Sequence, residues 1–135
     1  MPKAEGNLTA TQYEIMEVVW NRGNEGASVA EIWQAIAPQR SVGRTTILNL
    51  VDRLEKRGWL IRCDQQRPVR YVASQDRSKT SALLAGSFVD DFFGGSASGL
   101  VMSLLGCKRL THEELERLRS VLEQAMRAGP AKKGK

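Results

Sequence analysis

The stretch from Ser41 to Arg70 constrains this chain more than any other. Ile47, Leu50, Val51 and Leu54 recur at i, i+3, i+4 and i+7, the spacing of one apolar face on an α-helix. At about 100° per residue, Thr45, Asn49, Asp52 and Lys56 fall on the opposite side. Thr46, Leu48 and Arg53 flank them, and Arg44 lies at the N-terminal edge. Gly58 follows where a glycine cap would stop a helix covering roughly residues 43–57. Two short runs then alternate in character: Trp59, Ile61 and Cys63 with Leu60 and Arg62, and Val69, Tyr71 and Ala73 with Arg70 and Val72. Period two predicts strands over Trp59–Cys63 and Val69–Ala73. The polar, proline-bounded connection from Asp64 to Pro68 predicts a hairpin loop.

Charge gathers in the same place. Arg40, Arg44, Arg53, Lys56, Arg57, Arg62, Arg67 and Arg70 face only Asp52, Glu55 and Asp64, a balance of +5 that equals the net charge of the whole chain. Residues 1–39 carry −3, residues 71–125 carry −1, and the end from Met126 adds +4. A diffuse excess would serve solubility; a focused patch selects an anionic partner, nucleic acid first.

Two helices precede this stretch. Thr9 with Gln12, and Ser28 with Glu31, have the spacing of capping boxes. They predict a helix over Thr9–Asn21, carrying Ile15, Met16, Val18, Val19 and Trp20, and a second through Val29, Ile32, Trp33 and Ile36, stopped by Pro38. Trp33 reads as a core residue. Helix, helix, helix, hairpin is the order of a winged helix-turn-helix, expected over residues 1–75.

After Gln75 the pattern is helical again. Leu84, Phe88 and Phe92 run at i, i+4 and i+8, and Gly94-Gly95-Ser96 breaks the run. A short apolar helix is expected over Leu100–Leu105. Thr111 with Glu114 is a third capping box, opening a helix lined by Leu115, Leu118, Leu122 and Met126. Residues 76–127 have too many large apolar side chains for an exposed appendage and are too few for an independent core. A second copy is the simplest cover. Leu84, Phe88, Phe92, Leu100, Leu104, Leu115, Leu118 and Leu122 are the expected dimer interface. Residues 128–135 read as a disordered basic tail. The expected fold class is mainly α with a small β wing: a winged helix-turn-helix plus a C-terminal helical dimerisation region.

The composition excludes other classes. The single histidine, His112, reads as a surface residue at a helix start. Cys63 and Cys107 are far apart in sequence and read as small apolar core residues, not as a disulfide or metal pair. With no paired carboxylates in an apolar setting and no glycine-rich phosphate loop, neither an enzyme nor a cofactor is expected. No apolar run approaches the roughly 18 residues that span a bilayer, and the N-terminal residues lack an apolar signal core. The expected location is the cytoplasm, associated with the nucleoid through DNA.

The residue types on the outward face of the third helix suit direct base readout. Asn49 can bond adenine bidentately, Thr45 can meet a thymine methyl or a polar base edge, and Leu48 offers apolar contact. Arg44 and Thr46 could reach bases or phosphates, and Arg40 and Ser41 complete that expected set. Arg53, Lys56, Arg62, Arg67 and Arg70 would position the protein on phosphates. Asp52, whose outward carboxylate would repel phosphate, is expected to pair with Lys56 four residues on. A small-ligand-responsive regulator and a protein-binding winged-helix module are the alternatives that the same pattern leaves open.

Several of these runs together resemble the penicillinase-repressor family of bacterial transcriptional regulators (BlaI/MecI/CopY type). They are Leu8-Thr9 with Glu14-Ile15-Met16-Glu17-Val18-Val19-Trp20; Val29-Ala30-Glu31-Ile32; Val42-Gly43-Arg44-Thr45-Thr46-Ile47 with Arg53-Leu54-Glu55-Lys56-Arg57-Gly58; and Phe92-Phe93-Gly94-Gly95 before Leu100-Val101. The resemblance covers about residues 8–125. It implies a homodimeric repressor on a palindromic operator, with the C-terminal helices as the interface. In the family's antibiotic-responsive branch a sensor protease leads to cleavage at an Asn-Phe pair in the dimerisation region; Ser103-Leu104 stands at that position here. The copper-responsive branch uses paired C-terminal cysteines, whereas only Cys107 lies in that half of this chain.

Overall fold

In the computed structural model, which describes residue 4 and residues 6–129, Thr9 opens the first helix, α1 (Ala10–Arg22). The Thr9 hydroxyl accepts from the Gln12 N–H at 3.2 Å while the Gln12 side chain accepts from the Thr9 N–H at 3.0 Å. Two of the N–H groups that a helix start leaves orphaned are thereby satisfied. Ser28 and Glu31 repeat the arrangement at α2 (Val29–Ile36). The third helix, α3 (Arg44–Lys56), starts one residue later than expected because Gly43 is its cap and has no side chain to contribute. It ends as the glycine predicts. Gly58 has φ +85°, its N–H donates to the Glu55 carbonyl at 3.0 Å, and the Trp59 N–H reaches the Leu54 carbonyl at 2.8 Å, the paired bonds of a Schellman stop.

The strands β1 (Leu60–Cys63) and β2 (Arg70–Ala73) pair antiparallel, with Leu60 opposite Ala73 and Cys63 opposite Arg70. Each begins one residue after the expected start. Ala27, in the loop before α2, adds a third short rung: it exchanges backbone hydrogen bonds with Tyr71 at 2.9 and 3.0 Å. That approach needs Gly26, whose φ is +73° and where an added Cβ would lie 2.7 Å from the Tyr71 carbonyl oxygen.

The helices continue as α4 (Arg77–Phe92), α5 (Ala97–Gly106) and α6 (His112–Ala128). The short helix α5 starts three residues earlier than Leu100 because the Ser96 hydroxyl caps it, accepting from the Gly99 N–H at 3.0 Å. Thr111 and Glu114 form the expected box at α6. The expected basic tail beyond Gly129 lies outside the described residues.

The chain divides into two units that meet inside α4, one ending at Phe88 and the other beginning at Val89. The first unit has a continuous core: Ile15, Met16 and Val19 from α1, Ile32 and Ile36 from α2, Ile47, Val51 and Leu54 from α3, and Trp59, Leu60 and Tyr71 from the hairpin. Leu50 and Trp33 pack against this cluster while staying half-buried. The second unit has no comparable interior. Among its described residues only Val89, at the end it shares with α4, is buried. Phe92 is 71% exposed and Leu122 60%. Cys107, expected in a core, is exposed at the end of α5, and Cys63 is only half-buried; both are free thiols. The reason is that an apolar helix buries its side chains only where another element packs on it, and in a single chain little packs on α5.

Candidate nucleic-acid interface

Burial of Ile47, Val51 and Leu54 at 0% exposure holds α3 down on the first unit and turns its other side outward. Arg44, Thr45, Thr46, Leu48, Asn49, Asp52, Arg53 and Lys56 are all exposed there. Leu48 is 49% exposed, an outward leucine that the core does not need. Lys56 Nζ lies 3.0 Å from Asp52 Oδ2, the pairing expected from their spacing. That neutralises the carboxylate which would otherwise oppose a phosphate. Arg44 and Arg53 have no hydrogen-bonded or ion-paired side-chain partner among the described residues, so both guanidinium groups are available. Trp33 sets the entry to this helix: its indole N–H donates to the Val42 carbonyl at 3.0 Å.

The wing presents Arg62 and Arg67, both exposed. Arg62 pairs with Asp64, which holds its guanidinium above the usual arginine range, and Arg67 donates to the Asp64 carbonyl at 3.0 Å. These bonds order the hairpin loop and leave the guanidinium groups at the surface.

Two arginines expected at the DNA have other attachments. Arg70 donates to both oxygens of Glu31, at 2.9 and 3.3 Å, and to the Gly26 carbonyl at 3.3 Å. Its side chain is only 23% exposed, so it ties β2 to the start of α2. Glu31 also lies 3.4 Å from Arg22. The Ser28 N–H, then Arg70 and Arg22, hold the Glu31 carboxyl below the usual carboxylate range, against an opposing push from burial. Arg40 is bidentate on Glu14, at 2.8 and 2.9 Å, and joins the loop before α3 to α1. That hydrogen bonding lowers the Glu14 pKa and raises that of Arg40. No local signal announces these pairs, whose partners are 26 and 39 residues apart.

Of the expected interface residues, Phe88, Phe92, Leu115, Leu118 and Leu122 are exposed, whereas Leu84, Leu100 and Leu104 are half-buried. Ser103 and Leu104 lie inside the continuous helix α5. His112 is exposed, with Nε2 3.8 Å from a Glu116 oxygen. Among the described residues no group of histidine, cysteine and carboxylate side chains could hold a metal ion. No helix there is long and apolar enough to cross a membrane.

Three core helices, a two-stranded wing and an outward basic helix face define a winged-helix DNA-binding regulator. Residues 8–124 match the penicillinase repressor family, and the chain belongs to it. It is 25% identical over 117 residues to the methicillin resistance regulatory protein MecI of Mammaliicoccus sciuri, covering 87% of this chain and 94% of that one. It is 24% identical over 117 residues to the penicillinase repressor of Bacillus licheniformis, covering 87% and 90%. Among solved structures, the monomeric form of BlaI from Bacillus licheniformis in complex with the blaP half-operator superposes with a TM-score of 0.48 at 23% identity. That superposition covers 58% of this chain and 92% of that one. The protein is accordingly a transcriptional repressor that binds DNA, and its family is not one of enzymes.

Proposed function

We propose that this repressor acts as a bacterial, cytoplasmic homodimer on a palindromic operator, with residues 1–75 as the DNA-binding domain and residues 76–127 as the dimerisation region. The observation that carries the dimer is the second unit's lack of an interior: α6 alone exposes Leu115, Leu118, Val121, Leu122 and Met126. Contiguous apolar surface of this kind marks an association site, and a matching copy buries it with a self-complementary interface. Phe88, Phe92, Leu100 and Leu104 are assigned to the same interface.

In each protomer α3 enters the major groove. Asn49, Thr45 and Leu48 read base edges. Arg44, Arg53, Lys56, Arg62 and Arg67 hold phosphates, with Ser41 and Thr46 beside them near the start of α3. Arg40 and Arg70 support this surface through their carboxylate pairs instead of gripping the backbone themselves. Joining two reading heads makes the second half-site intramolecular, which raises avidity by about 10²–10⁴-fold. Separation of the protomers therefore releases the operator without any change in α3. A protease that cuts in the second unit is one agent of separation. A cut at Ser103–Leu104 would first require α5 to open, because its backbone is hydrogen-bonded within the helix.

Leu118→Asp tests the reading, since it places a charge in the middle of the exposed α6 row. Size-exclusion chromatography should show a monomer, and a gel shift should show operator affinity reduced by at least about 100-fold. A variant that stays dimeric would refute the interface assignment.

A further inference from the structure

The wing is fastened at both ends, by different means. At its root Trp59 and Leu60 are buried in the core of the first unit, and the Ser74 hydroxyl donates to the Gly58 carbonyl. Tyr71 continues the buried side of β2. Beyond Tyr71 the apolar attachment thins to the half-buried Val69. The ladder stops at the Cys63–Arg70 rung, and the exposed residues 64–68, Arg67 among them, hang from it.

Arg70 holds that outer rung. Its guanidinium forks onto Glu31 at 2.9 and 3.3 Å and donates to the Gly26 carbonyl at 3.3 Å. A planar fork on a carboxylate fixes direction as well as distance, which a single-point ammonium contact does not. Glu31 belongs to the capping box of α2, and α2 carries Trp33, whose bond to the Val42 carbonyl sets the entry to α3. One carboxylate therefore links the outer wing to the helix pair that presents the reading face.

We propose that Arg70 is a positioning residue for DNA binding: its fork on Glu31 holds the wing loop so that Arg67 meets the phosphate backbone while α3 lies in the groove. This inference rests on the phosphate contacts proposed above for the wing. A loop already ordered in the free protein loses little freedom on binding. Without the fork the loop is ordered only by the DNA, and the Arg67 contact contributes correspondingly less. The sign of the effect is distinctive. Glu31 is an acidic residue on a protein that binds a polyanion, so electrostatics alone has its neutralisation tighten binding. The fork requires the opposite.

The test is a double-mutant cycle on the full chain, read by fluorescence anisotropy with a labelled random-sequence duplex across a salt series. In the wild-type background Arg67→Ala should weaken binding by about fivefold, the scale of one exposed ion pair, and lower the salt slope by about one unit. Glu31→Gln keeps an acceptor for the Ser28 N–H, so α2 stays capped, and thermal melts check that each variant is folded at the assay temperature. Glu31→Gln should weaken binding by about threefold, and in that background Arg67→Ala should cost less than about twofold and leave the slope unchanged. Arg70→Met should behave the same way, and Arg70→Lys should fall between Arg70→Met and wild type. Arg53→Ala, on α3, should cost as much in Glu31→Gln as in wild type. Tighter binding by Glu31→Gln, or a full Arg67→Ala cost in both backgrounds, overturns the proposal. An Arg53→Ala cost that shrinks in step with that of Arg67 also overturns it, because the whole unit has then loosened. An Arg67→Ala variant indistinguishable from wild type overturns the wing's phosphate contacts and the positioning together.

Discussion

Glu31→Ala should destabilise the first unit far more than a surface substitution does. The carboxylate completes the α2 capping box by accepting from the Ser28 N–H at 3.0 Å. It also receives two bonds from Arg70 and lies 3.4 Å from Arg22. Loss of half a capping box costs up to about 1 kcal/mol. Hydrogen bonds to a charged group contribute about 1.5–3 kcal/mol when buried; the Glu31 side chain is 25% exposed, and water would partly replace it, so the low end applies. The sum is about 2 kcal/mol. For a unit of some 88 residues, 1 kcal/mol shifts Tm by about 4–8 °C, so circular dichroism melts at pH 7 should show a fall of roughly 10 °C. The pH dependence follows in sign. Because folding lowers the Glu31 pKa from 4.5, its contribution is fully present above that value and is lost as pH falls through the folded-state value. The wild-type advantage should therefore shrink as pH drops below 4.5. Arg70→Ala should reproduce most of the loss. A change of less than about 2 °C at pH 7 would show that the Glu31–Arg70 pair does not hold the wing to α2. It would return Arg70 to the phosphate-contacting set.

Two further outcomes test separate parts of the account. The Thr80 hydroxyl is fully buried without a hydrogen-bond partner among the described residues, so Thr80→Val, which keeps the shape and removes the unsatisfied oxygen, should raise stability by about 1 kcal/mol in a thermal melt; a loss of that size would mean the hydroxyl is paired in solution. Arg67→Ala in the wing should weaken all DNA sequences about equally and reduce the slope of log affinity against log salt by about one unit, as read by fluorescence anisotropy across a salt series; an unchanged slope would remove Arg67 from the phosphate contacts.

What was legible in the sequence was local. The three capping boxes, the buried face of α3 and the Gly58 stop each depend on residues three to five positions apart, so spacing alone determines them. The outward row of Thr45, Leu48 and Asn49 follows from the same geometry. The start of α5 was missed because the apolar run beginning at Leu100 outweighed the Ser96 cap, a weaker sign in a glycine-rich segment. The Arg40–Glu14 and Arg70–Glu31 pairs could not be read, because each joins elements brought together only by the tertiary fold. Two of the eight basic residues between Arg40 and Arg70 are bidentate on carboxylates from α1 and α2, and because Glu14 and Glu31 lie outside that window, charge counting within it could not show those pairs.

The central claim is that the outward face of α3 reads sequence. Its most direct test compares wild-type protein and Asn49→Ala on a palindrome recovered by selection from random-sequence DNA and on a duplex of scrambled sequence. Loss of a bidentate base contact costs about 1–3 kcal/mol of discrimination, so at two half-sites the preference for the palindrome should fall at least about 30-fold, while binding to the scrambled duplex stays unchanged. Equal loss on both duplexes, or an undiminished preference, would contradict it.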